Sequence, residues 1–470
     1  MKQLEIFTSL FQIMFFVTAL LVTAGVIFMR YKYIRRNIEL GKEWKAAHNP
    51  SERLKLMILI AFGQKKMFAR PFVGLMHLVI YAGFLLINIE VLEIVIDGIT
   101  GQHRIFAPLL GSTVYQILIG FFELLAFGVL ATCVIFLIRR NVVKVERFDK
   151  PEMKGWAHLD ANLILVFEII LMFFLFTMNA TDSILQMRAM DLANGIDVIN
   201  NVDAAHYGVF ENNPVRFLVS QTLIPLYDGL TTTQLVLLER GAWWFHIMGI
   251  LGFAIYVTYS KHLHIFLAFP NVYFTRLKPT GEMNNMDSIT KEVQITMGTL
   301  ESDANAADDE IPSFGAKDVT DLTWRNILDA YTCTQCGRCT DVCPANMTGK
   351  KLSPRKIVMN VRQRADEIGE RMDEMGEYYK PDDKMLYGDY VTKEELMACT
   401  SCNACVDACP VNINPLEPIL EMRRYVAMEE ADVPDAWKAM LTNVGNNGAP
   451  WAFAPTERFK WADELKNGNQ

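Results

Sequence analysis

The composition of the chain indicates a membrane protein with a reducing, cytoplasmic part. It has 470 residues, of which 51% are hydrophobic, and its mean hydropathy of +0.16 is high for a soluble protein. The formal net charge of -8 argues against a nucleic-acid partner. Eight of the nine cysteines lie in two short runs, so no pairing remains for a secreted disulfide framework.

Five apolar stretches are long enough to cross a bilayer, which takes about 20 residues. They cover roughly residues 6–29, 72–96, 113–138, 159–180 and 242–268. The first lacks a small-residue cleavage site and is followed by Arg30, Lys32, Arg35 and Arg36, so we interpret it as a retained span and not a signal peptide. The sequence therefore predicts an all-α bundle of five transmembrane helices.

The distribution of lysine and arginine predicts the orientation of this bundle. Residues 30–70 and 139–157 hold 11 and 6 basic residues, whereas residues 97–112 and 181–240 hold 1 and 3. Because basic segments remain inside, we expect the N-terminus outside and the chain after residue 268 in the cytoplasm. The predicted location is the bacterial inner (cytoplasmic) membrane, with several passes through its lipid.

Three acidic residues lie near the outer end of the second span. Glu90, Glu93 and Asp97 have the spacing of one helical face. Buried acids cost several kcal/mol unless they are paired or hydrated. They are candidates for proton transfer in quinone chemistry, and the alternative is a hydrated helix end. No other catalytic residue is predicted.

Histidines on the spans are candidate haem ligands. His246 and His264 are 18 residues apart, which in a continuous helix places them on one stripe about 27 Å apart. That arrangement suits two haems stacked across a bilayer. His77 lies at the depth of His264, which predicts a bis-histidine haem b in the inner leaflet, while His262 would face away. The alternative is that each is a polar residue facing the bundle, but ionisable groups at membrane depth are usually functional.

The residues around this pair also resemble a known family. They are His246-Ile-Met-Gly-Ile-Leu-Gly, Ser260-Lys-His-Leu-His264-Ile and Pro270-Asn-Val-Tyr-Phe-Thr-Arg276. They resemble the last span of the gamma subunit of respiratory nitrate reductase, a two-haem cytochrome b that exchanges electrons with quinol. That family has a second histidine ten residues after the first in span two, where this chain has Ile87. Two alternatives follow: His246 pairs with His103 in the outer loop, or the outer haem is absent.

An acidic segment separates the spans from the cysteines. Residues 281–320 hold nine acidic side chains and two lysines, which is typical of a solvated linker. We therefore predict a membrane domain at residues 1–278, a linker at 279–320 and a small helical domain at 321–470.

The two cysteine runs predict two [4Fe–4S] clusters. Both read C-x2-C-x2-C-x3-C-P, in which three thiolates bind one cluster and the fourth binds the other. Zinc sites need paired C-x2-C steps, and most disulfide pairings do not fit such tight spacing. The predicted ligands are Cys333, Cys336, Cys339 and Cys409 for cluster 1, and Cys399, Cys402, Cys405 and Cys343 for cluster 2. Uncrossed ligation is the alternative.

The cysteine-containing part resembles the iron–sulfur part of heterodisulfide-reductase-like proteins. The resembling segments begin at Trp324, Thr348, Met422 and Gly445, and the last continues to Trp451 and Arg458. In fused relatives, including oxidoreductases that pass electrons from electron-transfer flavoprotein to menaquinone, two Cys-Cys-Gly domains come next. The sequence contains no adjacent cysteine pair. The resemblance therefore implies that a separate Cys-Cys-Gly iron–sulfur subunit works with this chain.

Together these features predict a membrane-bound oxidoreductase component. It would pass electrons between a cytoplasmic redox partner, such as electron-transfer flavoprotein, and the menaquinone pool or another quinone, through two [4Fe–4S] clusters and haem b. One alternative is a quinol-oxidising subunit of a heterodisulfide- or sulfite-reductase-like complex. Another is a redox sensor, although sensing needs no chain of carriers across a membrane. The sequence leaves the electron donor, the direction of flow and the oligomeric state open.

Overall fold

The computed structural model describes residues 2–46, 48–193, 207, 217–279, 281–301 and 313–467. In these ranges every regular element is a helix, apart from two isolated bridges that pair Lys42 with Thr323 and Tyr387 with Val391. The prediction of an all-α architecture is confirmed for this part of the chain.

The N-terminal half is built from long apolar helices. Four helical segments are long and apolar enough to cross a membrane, and a bent pair makes up to five if it counts as one span. The four are Leu10–Ile38, Pro71–Thr100, Ser112–Asn141 and Trp156–Leu192, and the bent pair is Thr232–Val257 with Lys261–Tyr273. Within the described residues of this half, the α-helices that have defined bounds are α1 Lys2–Ile38, α2 Pro50–Leu56, α3 Pro71–Thr100, α4 Phe106–Leu110, α5 Ser112–Asn141, α6 Trp156–Ala193, α7 Ile224–Tyr227, α8 Thr232–Val257 and α9 His264–Tyr273.

Local sequence signals explain several helix ends. Helix α3 begins at Pro71, whose missing N–H and fixed φ suit a first helical position. It ends at Gly101, which has a left-handed φ of 71° that glycine adopts without strain. Helix α8 begins with a capping box in which Thr231 and Gln234 exchange side-chain and backbone hydrogen bonds.

The prediction of one continuous helix over residues 242–268 is wrong. Helix α8 ends at Val257, and the next helical segment leaves at 89°. Asp160 of α6 stabilises the bend, because its carboxylate accepts the Lys261 backbone N–H at 3.1 Å and the Tyr256 hydroxyl at 2.5 Å. Ser260 adds a cap by accepting the His262 N–H at 3.0 Å. His246 and His264 therefore do not share one helical stripe.

The C-terminal half consists of shorter helices around the two cysteine runs. They are α10 Asp287–Thr296, α11 Trp324–Thr332, α12 Arg338–Asp341, α13 Pro344–Met347, α14 Pro354–Met375, α15 Lys393–Met397, α16 Ala404–Asp407, α17 Leu416–Met428, α18 Asp435–Asn447 and α19 Lys460–Asn467. Ala316 and Val319 are fully buried in the core of this half, so its packing begins inside the predicted linker. Residues 302–312 of that linker lie outside the described residues.

The two halves share one hydrophobic core where they meet. Ile34 from α1 and Leu263 from the bend are buried together with Ile327 and Ile357 of the cysteine-containing half. Burying each such side chain contributes about 1.5–3 kcal/mol. Helix α1 therefore extends beyond the predicted span, which ended near residue 29, and its last turns pack on the C-terminal half.

Candidate functional site

The two cysteine runs fold into matching turns. Gln335 and Ser401 both have left-handed φ angles, of 56° and 54°. In each turn the backbone N–H of this residue points at the sulfur two positions earlier, at 3.4 Å from Cys333 and from Cys399. The repeated sequence motif is therefore also a repeated backbone structure that directs sulfur atoms inward.

The structure groups the cysteines across the two runs. One cavity is lined by Cys333, Cys336, Cys339 and Cys409. Burial, together with the neighbouring Cys336 and Cys333, raises the pKa of the Cys409 thiol to about 12. A cavity bounded by four thiol groups fits the ligand set that a [4Fe–4S] cluster requires.

The second group has the complementary membership. Burial raises the pKa of the Cys405 thiol to about 12, and Cys399, Cys343 and Cys402 are the neighbours that add to this effect. Cys343, from the first run, thus lies with the cysteines of the second run. Cys402 is exposed, whereas Cys405 is buried. The second group therefore reaches the surface at Cys402, whereas none of the four cysteines of the first group is exposed.

The first cysteine run lies directly on loops that connect the long apolar helices of the N-terminal half. Arg147 donates to the Cys336 carbonyl at 3.0 Å, and Arg338 donates to the Lys66 carbonyl at 3.1 Å. Lys261, at the bend before α9, donates to the Gln335 side chain at 2.8 Å. Contacts therefore connect the loop of the first cysteine run, residues 333–343, to the segment that carries His264.

His77 and His264 lie close together at the end of the bundle that adjoins the cysteine-containing half. Their ring centres are 6.5 Å apart. With a metal–nitrogen bond of about 2 Å, two imidazoles on opposite sides of one metal ion would have centres roughly 6 Å apart. Nδ1 of His77 donates to Gln64 at 3.0 Å, and Nδ1 of His264 donates to the Lys261 carbonyl at 3.2 Å. Such contacts fix the ring and leave Nε2 available, which is typical of metal-binding histidines.

His262 does not face away from this pair, as a continuous helix would require. Its ring centre lies 5.4 Å from that of His264 and 5.7 Å from that of Phe253. The bend at residues 258–260 changes the helical phase and brings both histidines to one side. The prediction placed His246 and His264 on one helical stripe. The structure instead groups His264 with His262 and His77.

The structure does not bring His246 and His103 together. His246 is buried and its Nδ1 donates to the Leu171 carbonyl at 2.9 Å. His103 contacts Asp182 at 3.1 Å, and its ring lies 5.7 Å from that of Tyr207. Tyr207 donates to Glu239 at 3.0 Å, and Glu239 precedes His246 by two helical turns, or about 10 Å. The two histidines therefore lie at different depths.

The three acidic residues of α3 have different environments. Glu93 accepts the Phe106 N–H at 2.9 Å and the Tyr115 hydroxyl at 2.7 Å. Asp97 accepts the backbone N–H groups of Arg104 and Ile105, at 2.7 and 3.1 Å. Both carboxylates therefore hold the turn that follows α3. Glu90 is buried one turn further into the bundle.

Sequence reasoning missed Gln64, Asp160 and Arg355, all of which support the candidate ligands. Gln64 orients His77, Asp160 stabilises the bend before His264, and Arg355 lines the first cysteine cavity. Each acts on residues at least 13 positions away in sequence. No local spacing indicates such contacts, although a glutamine and an aspartate next to apolar stretches are a weak signal.

Comparison with known proteins supports the iron–sulfur interpretation. Residues 332–413 match the family model of the 4Fe-4S dicluster domain. No solved structure matches the chain.

Relatives of known name cover both halves. The chain is 26% identical to the probable iron-sulfur-binding oxidoreductase FadF of Bacillus subtilis, over 95% of this chain and 60% of the relative. It is 25% identical to the EtfAB:quinone oxidoreductase of Syntrophomonas wolfei, over 88% of this chain and 54% of the relative. A heterodisulfide reductase subunit of Methanosarcina acetivorans is 29% identical over 23% of this chain and 53% of the relative. The chain thus spans less than two thirds of the length of these relatives, and its homologues are iron–sulfur oxidoreductases.

Proposed function

We propose that this protein is a membrane-bound component of an iron–sulfur oxidoreductase that passes electrons between a cytoplasmic redox partner and the menaquinone pool, in a reaction of the electron-transfer flavoprotein:quinone type. One observation carries the proposal: the first group of cysteines lies on the segment that carries His264, through the 2.8 Å contact between Lys261 and Gln335, and the His264 ring lies 6.5 Å from that of His77 of α3. A continuous set of contacts between a cluster site and an intramembrane histidine pair is what an electron path requires.

In this proposal the cysteines hold two [4Fe–4S] clusters with crossed ligands. Cluster 1 is bound by Cys333, Cys336, Cys339 and Cys409, and cluster 2 by Cys399, Cys402, Cys405 and Cys343. The cavity lined by the first four thiols supports this assignment. Such clusters supply one-electron transfer when they are bound. The chain supplies the thiolates, the N–H groups that point at sulfur, and the burial that excludes water.

His77 and His264 are the proposed axial ligands of one haem b. Their ring separation of 6.5 Å and the acceptors at both Nδ1 atoms support this assignment. The resemblance to the nitrate reductase gamma subunit points the same way. Because His246 and His103 lie at different depths, we propose one haem and not two. Of the three acids of α3, Glu90 is the remaining candidate for proton transfer, since Glu93 and Asp97 hold a turn.

The proposed topology has five spans, the bent pair counted as the fifth, in the bacterial inner membrane. Basic segments flank the ends that adjoin the cysteine-containing half, which supports an outside N-terminus and a cytoplasmic iron–sulfur domain. A Cys-Cys-Gly protein is the proposed partner, because one-electron carriers cannot accept a hydride by themselves.

Coverage separates this proposal from the heterodisulfide alternative. The match to the Methanosarcina acetivorans protein covers 23% of the chain, whereas the match to the EtfAB:quinone oxidoreductase covers 88% and includes the apolar half. We therefore favour a reaction of the electron-transfer flavoprotein:quinone type over a heterodisulfide-linked one.

The test uses the full chain, purified anaerobically in mild detergent. It should hold about eight non-haem irons, and it should oxidise a short-chain menaquinol with ferricyanide as the acceptor. His77→Ala protein that keeps its irons should lose this activity. Unchanged menaquinol oxidation in His77→Ala, or none in wild-type protein with its cofactors present, would contradict the proposal.

A further inference from the structure

Arg355 is a fully buried cation in an unfavourable position. It lies in the first turn of α14, with an exposed fraction of 0%. The positive end of the helix dipole disfavours a cation there. A buried charge also needs partners to offset its desolvation. Its environment must therefore contain groups that stabilise a positive charge.

Part of that stabilisation comes from the loop between α5 and α6. Nη1 of Arg355 donates to the Arg147 carbonyl at 2.7 Å, and Nη2 donates to Glu152 at 2.8 Å. The Nε atom is buried and has no hydrogen-bond partner among the described residues. Because buried N–H groups are nearly always satisfied, a missing acceptor beside Nε is expected.

The cavity of the first cysteine group is where that acceptor fits. Arg355 lines this cavity together with the four thiols. Gly337 lies against its guanidinium, and a Cβ atom at position 337 would overlap with Nη1. The corresponding position of the second run is Asn403, which also has a left-handed φ, of 62°. Glycine at position 337 therefore leaves room for the Arg355 guanidinium in the first run. The second run has a side chain at the matching position, Asn403, and so lacks this space.

The arginine beside the second run differs in its hydrogen bonds. Arg423 donates from Nε to the Leu396 carbonyl at 2.9 Å, from Nη2 to the Cys399 carbonyl at 2.5 Å, and from Nη1 to Ser401 at 3.4 Å. All three nitrogen atoms thus have oxygen acceptors. Arg423 holds a loop, and it has no nitrogen without a partner for a cluster.

We propose that Arg355 donates a charge-assisted hydrogen bond from Nε to a sulfur atom of cluster 1 and thereby raises the reduction potential of that cluster alone. This inference rests on the proposed function, because it requires the cluster to be present. Reduction adds negative charge to a site that already holds four thiolates, and burial in a low-dielectric region makes this costly. A nearby guanidinium and an N–H to sulfur offset that cost. Arg355 would keep the buried cluster reducible.

The test is a redox titration of the full chain, monitored by electron paramagnetic resonance, in wild type, Arg355→Gln, Arg355→Lys and Glu152→Gln. Arg355→Gln should shift the reduction equilibrium of cluster 1 about tenfold towards the oxidised form, which is about 59 mV for one electron. Arg355→Lys retains the charge and should shift it less. Glu152→Gln removes a neighbouring negative charge and should shift it in the opposite direction. Cluster 2 should be unchanged in all three.

Opposite signs for Arg355→Gln and Glu152→Gln separate tuning from a general disturbance of packing. An unchanged cluster 1 potential in Arg355→Gln protein that holds all its iron would overturn the inference, as would a shift confined to cluster 2. If Arg355→Gln protein loses cluster 1, Glu152→Gln decides: a raised potential supports the inference and an unchanged one overturns it. Wild-type protein without iron would instead refute the proposed function.

Discussion

At the scale of single residues, the positions of Cys343 and Cys409 carry the most information. Each follows three cysteines of its own run, yet each lies beside the cysteines of the other run. The two runs are therefore interdependent, because neither group is complete with the residues of one run. A substitution in one run should damage a cluster that the other run mostly holds.

Cys409→Ser tests this dependence. We expect the non-haem iron to fall from about eight towards about four per chain, since one of two four-iron clusters is lost. The lost resonance should be the one that Cys336→Ser also removes. Cys133→Ser, at a buried cysteine of the membrane half, is the control and should keep all the iron. Loss of the resonance that Cys402→Ser removes would instead establish uncrossed ligation.

Histidine substitutions test the haem ligands. His77→Ala and His264→Ala should each remove a low-spin b-type spectrum, because one ligand cannot hold haem iron in that state. The pyridine haemochrome assay on wild type should give about one haem per chain. This expectation follows from the different depths of His246 and His103.

Two neighbouring histidines provide the controls. His262→Ala should retain the haem although the His262 ring lies 5.4 Å from His264, since the 6.5 Å pair of His77 and His264 has the separation of axial ligands. His246→Ala should also retain it. Equal haem loss from His262→Ala and His264→Ala would show that the ligand assignment is wrong.

At the scale of elements, the sequence predicted the helices better than their relative directions. The lengths of the apolar stretches alone predicted four of the long helices, and most of the predicted ends lie within a few residues of the observed ones. This works because a segment buried in lipid must be a long apolar helix. It could not predict the bend after Val257, which depends on Asp160, about 100 residues earlier. It also could not predict Ala316 and Val319 as core residues, because an acidic composition obscured the two apolar side chains. The cysteine grouping was predictable, since the motif itself specifies crossed ligands.

The packing of α1 on α14 gives a prediction at this scale. A Cβ atom at Gly369 would overlap with the side chain of Asn37, which is buried and donates to Tyr331 at 2.9 Å. Gly369→Ala should therefore lower the stability by about 1–3 kcal/mol, the usual cost of overpacking. Thermal unfolding followed by circular dichroism should show a melting temperature that is lower by several degrees.

Gly445→Ala is the matched control. Gly445 also lies inside a helix, α18, but a Cβ atom there would meet nothing within 4 Å. This change should leave the melting temperature unchanged or raise it, since alanine favours a helix over glycine by up to about 1 kcal/mol. If both changes destabilised the protein equally, helix propensity and packing on α1 could not be the causes.

At the scale of the whole molecule, the cysteine-containing half and the end of the helix bundle that it contacts form one structural unit. Arg53 donates to the carbonyls of Tyr273 and Thr275, at 2.8 and 2.9 Å. Arg325 donates to the side chain of Asn271 at 2.9 Å. The Arg325 contact joins the C-terminal half to the bundle, and the second cysteine group reaches the surface at exposed Cys402. A redox partner would approach cluster 2.

The partner requirement is the prediction that depends on the whole molecule. The sequence has one cysteine outside the two runs, and in the proposed function a Cys-Cys-Gly partner supplies the further redox centre that receives electrons from the flavoprotein. The chain by itself should oxidise menaquinol with ferricyanide but should not reduce menaquinone from reduced electron-transfer flavoprotein. Adding a Cys-Cys-Gly protein should restore that reaction, and a lasting complex should bury more than about 2,000 Å². Since menaquinol oxidation by the same preparation shows that its carriers are intact, full-rate menaquinone reduction from the flavoprotein without a second protein would end the case for such a partner.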